Sequence, residues 1–211
     1  MLAYAGEDRE ELRELLNCLI ETVRNDPLNG FVHGNGWGLV AYTDNGLLLH
    51  YRSGKPIFGE GNVANKLVDM LSGKMWVIIH ARRASDPLLV GAIFSHPYLE
   101  STPNELIYIA HNGTVDKGRL GEELGVDVNH MVDSELIGKF IVRHGLSQET
   151  LKKLEQYVRH GSALNLLILR IPRYVSEPPR IYYYNHINQR KDEEHKNDNT
   201  EYYSLYYRRY N

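Results

Sequence analysis

Cysteine is almost missing from this chain. With Cys18 as the single thiol, neither an intrachain disulfide framework nor a cysteine-based zinc knuckle can be built. That scarcity fits a reducing compartment, so a cytoplasmic location is expected. Long apolar runs are missing too. None approaches the length of a membrane span, and no basic segment followed by an apolar one opens the sequence, so no membrane partner is expected. Neither sign of charge is in excess: a formal net charge of -3 on 211 residues gives no electrostatic reason to expect a nucleic-acid partner. Several catalytic signatures are absent as well. There is no G-x-S-x-G elbow for a serine nucleophile, no G-K-[ST] phosphate loop and no H-E-x-x-H zinc helix. No internal repeat or linker divides the chain, and residues 1–211 are expected to form one domain.

What is present is an ordinary globular composition, 42% hydrophobic and 24% charged, arranged in alternating strand-like and helix-like stretches. Leu2 to Ala5 reads as a first strand. Leu12, Leu15, Leu16, Leu19, Ile20 and Val23 recur at helical spacing behind an acidic first turn, with Cys18 on the flank of that helix. Glycines punctuate the turn-rich passage from Asn25 to Gly36. Leu39 to Tyr42 and Leu47 to Tyr51 flank T-D-N-G as a hairpin. A helix is predicted from Asn62 to Leu71 with Val63, Leu67, Met70 and Leu71 inward, and Gly73 as its stop. Met75 to Ala81 and Ile107 to Ala110 are apolar strands. Helices are predicted over Asp116 to Leu124, from Asp133 to Gly145, and from Gln148 to His160 behind a Ser147 cap. Ala163 to Leu169 and Ile181 to Tyr184 are further strands. The charged stretch from Gln189 to Thr200 reads as a solvated loop, and Tyr202 to Tyr207 as the return strand of a long-looped hairpin. The order predicts an α+β layered fold.

The chemistry-bearing residues gather in the segment from Trp76 to Gly113. One strand delivers His80, Arg82, Arg83 and Ser85 at or just past its end, S-H-P-Y follows with Ser95 and His96, and a second strand delivers His111, Asn112 and Gly113. Three histidines at separate strand ends could be metal ligands or hydrogen-bonded structural groups. Ser85 or Ser95 beside a histidine is a further, unspecific possibility. A third reading starts from Asn112 and Gly113. A side-chain NH2 and a backbone N–H at a strand end make a two-donor oxyanion hole. Arg82 can grip a carboxylate bidentately, and Asp133 can pair with an ammonium. Carboxylate, ammonium and an attackable carbonyl together describe glutamine. Taken singly, Asn-Gly is a common turn, Arg82 a common surface charge and Asp133 a common helix cap.

The motifs in order resemble the class II, N-terminal-nucleophile (Ntn) glutamine amidotransferases. H-G-N-G-W-G-L-V at His33 to Val40 looks like that family's glycine-rich segment, and I-H-A-R-R-A-S at Ile79 to Ser85 like its arginine motif. S-H-P-Y at Ser95 to Tyr98, A-H-N-G at Ala110 to Gly113 and V-D-S-E at Val132 to Glu135 are similar to three more. Trp37 in the glycine segment is similar to the stand-alone type. The resemblance implies a four-layer αββα sandwich of two antiparallel sheets and a hydrolysis of glutamine to glutamate and ammonia through a cysteine thioester. It implies Arg82 on the substrate α-carboxylate, Asp133 on its α-ammonium, Asn112 and Gly113 as the oxyanion hole, and His80, Trp37 and Ser85 around the pocket. No cofactor and no metal are implied. L-Glutamine is the expected ligand and a separate synthase subunit the expected ammonia acceptor, with a homo-oligomer left open. Family members of this type begin M-C-R-M-L-A-Y or nearly so, whereas this chain begins Met1-Leu2-Ala3-Tyr4, so the nucleophilic cysteine is expected ahead of Met1. Asn35 stands where an aspartate is commoner, and the chain stops at Asn211, where the family continues into another core strand. The alternative is a catalytically inactive module of the same fold that binds glutamine or a synthase partner.

Overall fold

The computed structural model describes residues 1–174, 177–188 and 201–208. In chain order, β1 (Leu2–Gly6) leads into α1 (Arg9–Arg24). The hairpin β2 (Trp37–Thr43) and β3 (Leu48–Ser53) follows, then α2 (Gly61–Asp69) and β4 (Met75–Ala81). The second half runs β5 (Tyr98–Ser101), β6 (Glu105–Gly113), α3 (Lys117–Leu124), α4 (Asp133–His144), α5 (Gln148–Leu154), β7 (Ser162–Pro172) and β8 (Arg180–Asn188). The strands form two four-stranded sheets, ordered β1-β4-β2-β3 and β5-β6-β7-β8, and every pairing is antiparallel.

Side-chain alternation along the strands makes the layers. In β4, Met75, Val77, Ile79 and Ala81 join Leu12, Leu16, Ile20 and Val23 of α1 and Ala64 and Val68 of α2 in an outer core. In β6, Ile107 and Ile109 do the same with α3, α4 and α5. The opposite parity meets between the sheets, where Val40, Trp76 and Ile78 pack against Tyr108, Ala110, Leu167 and Leu169. The result is the αββα sandwich, helix layer on sheet on sheet on helix layer. Among the described residues no helix is long and apolar enough to cross a membrane.

The element ends follow local chemistry. Asp8 caps α1, its carboxylate accepting from the Glu10 and Glu11 N–H groups at 2.9 and 3.0 Å, and Ser147 caps α5 through the Thr150 N–H at 3.1 Å. Cys18 is exposed on α1.

Three expectations need correction, and one strand was missed. The last predicted helix ends at Leu154, a single 3-10 turn carries Glu155–Tyr157, and Val158 then pairs as an isolated bridge with Val115. That bridge draws the chain out of helical geometry. Met70 is 55% exposed, because α2 has ended at Asp69 and Ala64 and Val68 fill the inward face. Tyr98–Ser101 is a strand that four residues of weak alternation did not announce. Tyr202 to Tyr207 is turn and irregular chain, not a return strand. Its backbone is held by side chains of the sheet, since Asn165 and Asn185 both donate to the Tyr203 carbonyl, at 2.7 and 2.8 Å. The charged stretch from Gln189 to Thr200 lies outside the described residues.

Candidate active site

The central strands β4 and β6 point their inner-face residues at one another, and where the two sheets diverge at these strand ends a cleft of about 900 Å3 opens. Parity puts His80 and Arg82 on the inner face after Trp76 and Ile78, and Asn112 there after Tyr108 and Ala110. His80, Arg82, Ser85, Asn112, Gly113 and Asp133 all line this cleft.

Trp37 does not, which corrects its placement around the pocket. It stands opposite Ala81 in the ladder, so it shares the parity of the outward residues. Its ring is fully buried in the core under α1 and α2, and its indole N–H donates to Glu60 at 3.0 Å. It supports the back of the sheet.

Arg82 is 8% exposed, which removes it from the class of surface charges. Its backbone is clamped by the glycine-rich segment. The Arg82 N–H donates to the Gly36 carbonyl at 2.8 Å, the Asn35 N–H donates to the Arg82 carbonyl at 2.9 Å, and the Asn35 side chain accepts from the Ala84 N–H at 3.0 Å. Gly36 is required for this approach: its φ is +119°, and a Cβ at this position would collide with the Ser95 hydroxyl. One guanidinium nitrogen of Arg82 donates to the Leu89 carbonyl at 2.6 Å. Burial pulls the Arg82 pKa down, and Tyr98, Asp133 and Asp86 oppose that shift. A guanidinium remains cationic here.

Asp133 is the first residue of α4, and two backbone donors fix its carboxylate: the Val115 N–H at 3.0 Å and the Ser134 N–H at 2.9 Å. It thereby ties the helix to the chain leaving β6. His111 backs the same junction. Its Nε2 lies 3.3 Å from the Ala163 carbonyl, which can only accept, so Nε2 carries the proton and Nδ1 accepts from the Ser134 hydroxyl at 3.0 Å. Both ring nitrogens are therefore engaged in the scaffold, and burial lowers the His111 pKa toward the neutral form.

Asn112 and Gly113 are the last rungs of β6, paired with Asn165 and Leu164, so they lie inside the ladder where the sequence pattern placed a strand end. The Asn112 amide has no hydrogen-bond partner among the described residues and faces the cleft. Gly113 has φ +142°, and a Cβ there would run into the Ala163 carbonyl oxygen. No other residue fits.

His80 and His96 lie side by side with ring centroids 4.2 Å apart. Burial holds both pKa values well below the usual imidazole range, and a charge on His96 would disfavour one on His80. His96 keeps both ring nitrogens, and His80 its Nδ1, without a protein partner. Among the described residues no group of three His, Cys, Asp or Glu side chains is placed to hold a metal ion. Ser95 is buried with its hydroxyl 2.9 Å from the Ser53 carbonyl, a loop brace; Ser85 is exposed at the cleft rim.

Sequence reasoning missed part of the lining. Phe31 and the segment Glu201 to Tyr203 border the cleft beside Arg83. The asparagines that hold Tyr203 sit in register across the sheet, Asn165 opposite Asn112 and Asn185 opposite Asn165. Inward parity of a polar residue in an otherwise apolar strand was the available signal.

Two stacked antiparallel sheets between helix layers, open at the ends of the central strands, give this chain a four-layer αββα sandwich fold. No family model matches it. It is similar to the solved structure of the allosteric regulatory enzyme of purine biosynthesis, with 19% identity and a TM-score of 0.53 over 80% of this chain and 35% of that one. It is also 26% identical over 118 residues to the gamma-glutamyl-hercynylcysteine sulfoxide hydrolase of Mycolicibacterium smegmatis, over 56% of this chain. That match spans about half (48%) of the curated relative's length.

Proposed function

We propose that the cleft is an amidase centre that hydrolyses the side-chain amide of a glutamyl group, with L-glutamine as the simplest substrate and glutamate and ammonia as products. One observation carries the reading: a buried cation at Arg82, an oriented carboxylate at Asp133 and the Asn112 amide, which bonds to no described residue, line one cleft together with Gly113. Arg82 would take the α-carboxylate and Asp133 the α-ammonium. Asn112 and Gly113 would receive the carbonyl oxygen as negative charge builds on it. The hydrolase that the chain is similar to acts, by its name, on a γ-glutamyl conjugate; the carbonyl attacked would be the same.

The attacking group in this reading is the cysteine that the resemblance puts ahead of Met1. Leu2 faces Ile79 in the antiparallel ladder, so Met1 falls level with His80, and a residue two places ahead falls level with Arg82 on the inner face. The cysteine's own α-amine, freed when the initiator methionine is removed, would be the base. In the reaction the amine takes the thiol proton as sulfur bonds to the carbonyl carbon, and passes it to the leaving nitrogen as the C–N bond breaks. Water then cleaves the thioester to carboxylate and free thiol.

The test is a chain lengthened by Met-Cys-Arg ahead of Met1, with the initiator methionine removed. Release of ammonia from glutamine, abolished by changing the added cysteine to serine and with KM raised strongly by Arg82→Ala, is the expected result. Glutamine binding by calorimetry without turnover would favour the inactive binding module. Neither binding nor turnover would overturn the reading.

A further inference from the structure

A glutamyl group leaves much of this cleft unfilled. Its volume of about 900 Å3 is near the top of the ~300–1,000 Å3 range of drug-sized ligand sites, several times what a single amino acid occupies. The anchors for the glutamyl head are deep, with Arg82 at 8% exposure, while Phe31 at 40% and Leu28 at 52% stand at the mouth.

The mouth has a distinct chemistry. The Arg83 guanidinium lies over the Phe31 ring, 3.8 Å from its centroid, and it has no ion pair among the described residues. Stacking fixes the direction of its donors without consuming them. Asp26 accepts the Leu28 N–H at 3.0 Å and Asp86 the Leu88 N–H at 2.9 Å, and Glu201, which also borders the cleft, makes no ion pair with Arg83. Tyr202 closes the wall from the C-terminal side. It feels the Arg83 charge, and the neighbouring Tyr203 is pinned to the sheet by Asn165 and Asn185. The wall presents apolar and aromatic side chains with one oriented cation that has no ion pair among the described residues.

We propose that this wall of Phe31, Arg83 and Tyr202 is a leaving-group subsite, which takes an amine bearing a carboxylate beside an apolar or aromatic side chain. The preferred substrate is then a γ-glutamyl amide of an amino acid, ahead of free glutamine. The proposal rests on the amidase reading for the orientation of the glutamyl head. The bonds made and broken are those given above, and an amino acid leaves in place of ammonia.

Titration calorimetry on the chain tests this without requiring turnover. Three probes are compared: glutamine, γ-glutamylphenylalanine, and γ-glutamylphenethylamine, which keeps the ring and lacks the carboxylate. γ-Glutamylphenylalanine is expected to bind at least ~10-fold more tightly than glutamine. Arg83→Gln should bring that ratio within about twofold, and the phenethylamine probe should show the reduced ratio on the unaltered chain. Phe31→Ala should reduce the ratio for both ring-bearing probes, and thermal melts confirm that each variant is folded. If glutamine binds and γ-glutamylphenylalanine binds no better, or if the preference survives Arg83→Gln, the subsite is overturned and the amidase reading stands. If no probe binds, both fall.

Discussion

Asn112 and Gly113 are adjacent in the chain but are held to opposite physical standards. Gly113 answers to the backbone: with φ at +142° and the Ala163 carbonyl where a Cβ would lie, Gly113→Ala must part β6 from β7. Positive-φ strain and a forced separation of strands together predict a loss of about 3 kcal/mol or more, measured by denaturant unfolding. Asn112 answers only to the cleft. Its amide bonds to no described residue, so Asn112→Ala should shift stability by no more than about 0.5 kcal/mol. In the cysteine-bearing chain the same substitution should lower kcat by about 10² to 10³ if the amide stabilises an oxyanion. An equal loss of stability in both variants would sink the distinction, and normal kcat in the asparagine variant would remove the oxyanion role.

At the scale of elements, what the sequence made legible was whatever depended on near neighbours. The apolar period of α1, the Ser147 cap, the buried runs of β4 and β6 and the T-D-N-G hairpin are local signals, and the fold they imply is the one observed. Arg82, Asp133, Asn112 and Gly113 were also legible as site candidates, because polar residues at the ends of apolar strands have no local reason to be there. Trp37 was misplaced for a reason of parity. Its direction depends on which residue of β4 it faces, and a one-residue change of register would have turned it into the cleft. The C-terminal segment was misread for a longer-range reason, since its hold on the protein is a carbonyl taken by two asparagines of β7 and β8. That hold is testable. Asn165→Ala removes a 2.7 Å hydrogen bond to Tyr203 and the acceptor of the Asn185 amide. It should cost about 1–3 kcal/mol and speed chymotryptic cleavage after Tyr202 or Tyr203. Cleavage at the unaltered rate would show that the segment is held by other contacts.

The whole molecule pays for its cleft with histidines buried between and behind its sheets. His80, His96 and His111 are 6%, 4% and 3% exposed, and burial is the leading cause of a lowered pKa in each. The charges that face these rings mostly act in the same direction. His96 feels His111, Arg82 and Arg52, and His80 feels His96, His33 and His111; Asp133 partly offsets the shift at His111. The folded state thus binds fewer protons than the unfolded chain once the pH falls below the ordinary histidine value of about 6.5. Stability from these groups is therefore complete above that value and is lost as the pH falls, at up to about 1.4 kcal/mol per pH unit for each histidine still neutral in the folded state. Unfolding free energies between pH 7.5 and 5 should fall with a slope of more than one proton. His96→Phe should reduce that slope by about one proton, because His96 has no hydrogen bond for the protein to lose and phenylalanine cannot be protonated. At pH 7.5 the same variant should be as stable as the parent within about 1 kcal/mol, since a ring of similar shape replaces two unpaired polar atoms. A flat pH profile in the parent, or an unchanged slope in His96→Phe, would mean that these rings take up protons in the folded cleft as readily as in water.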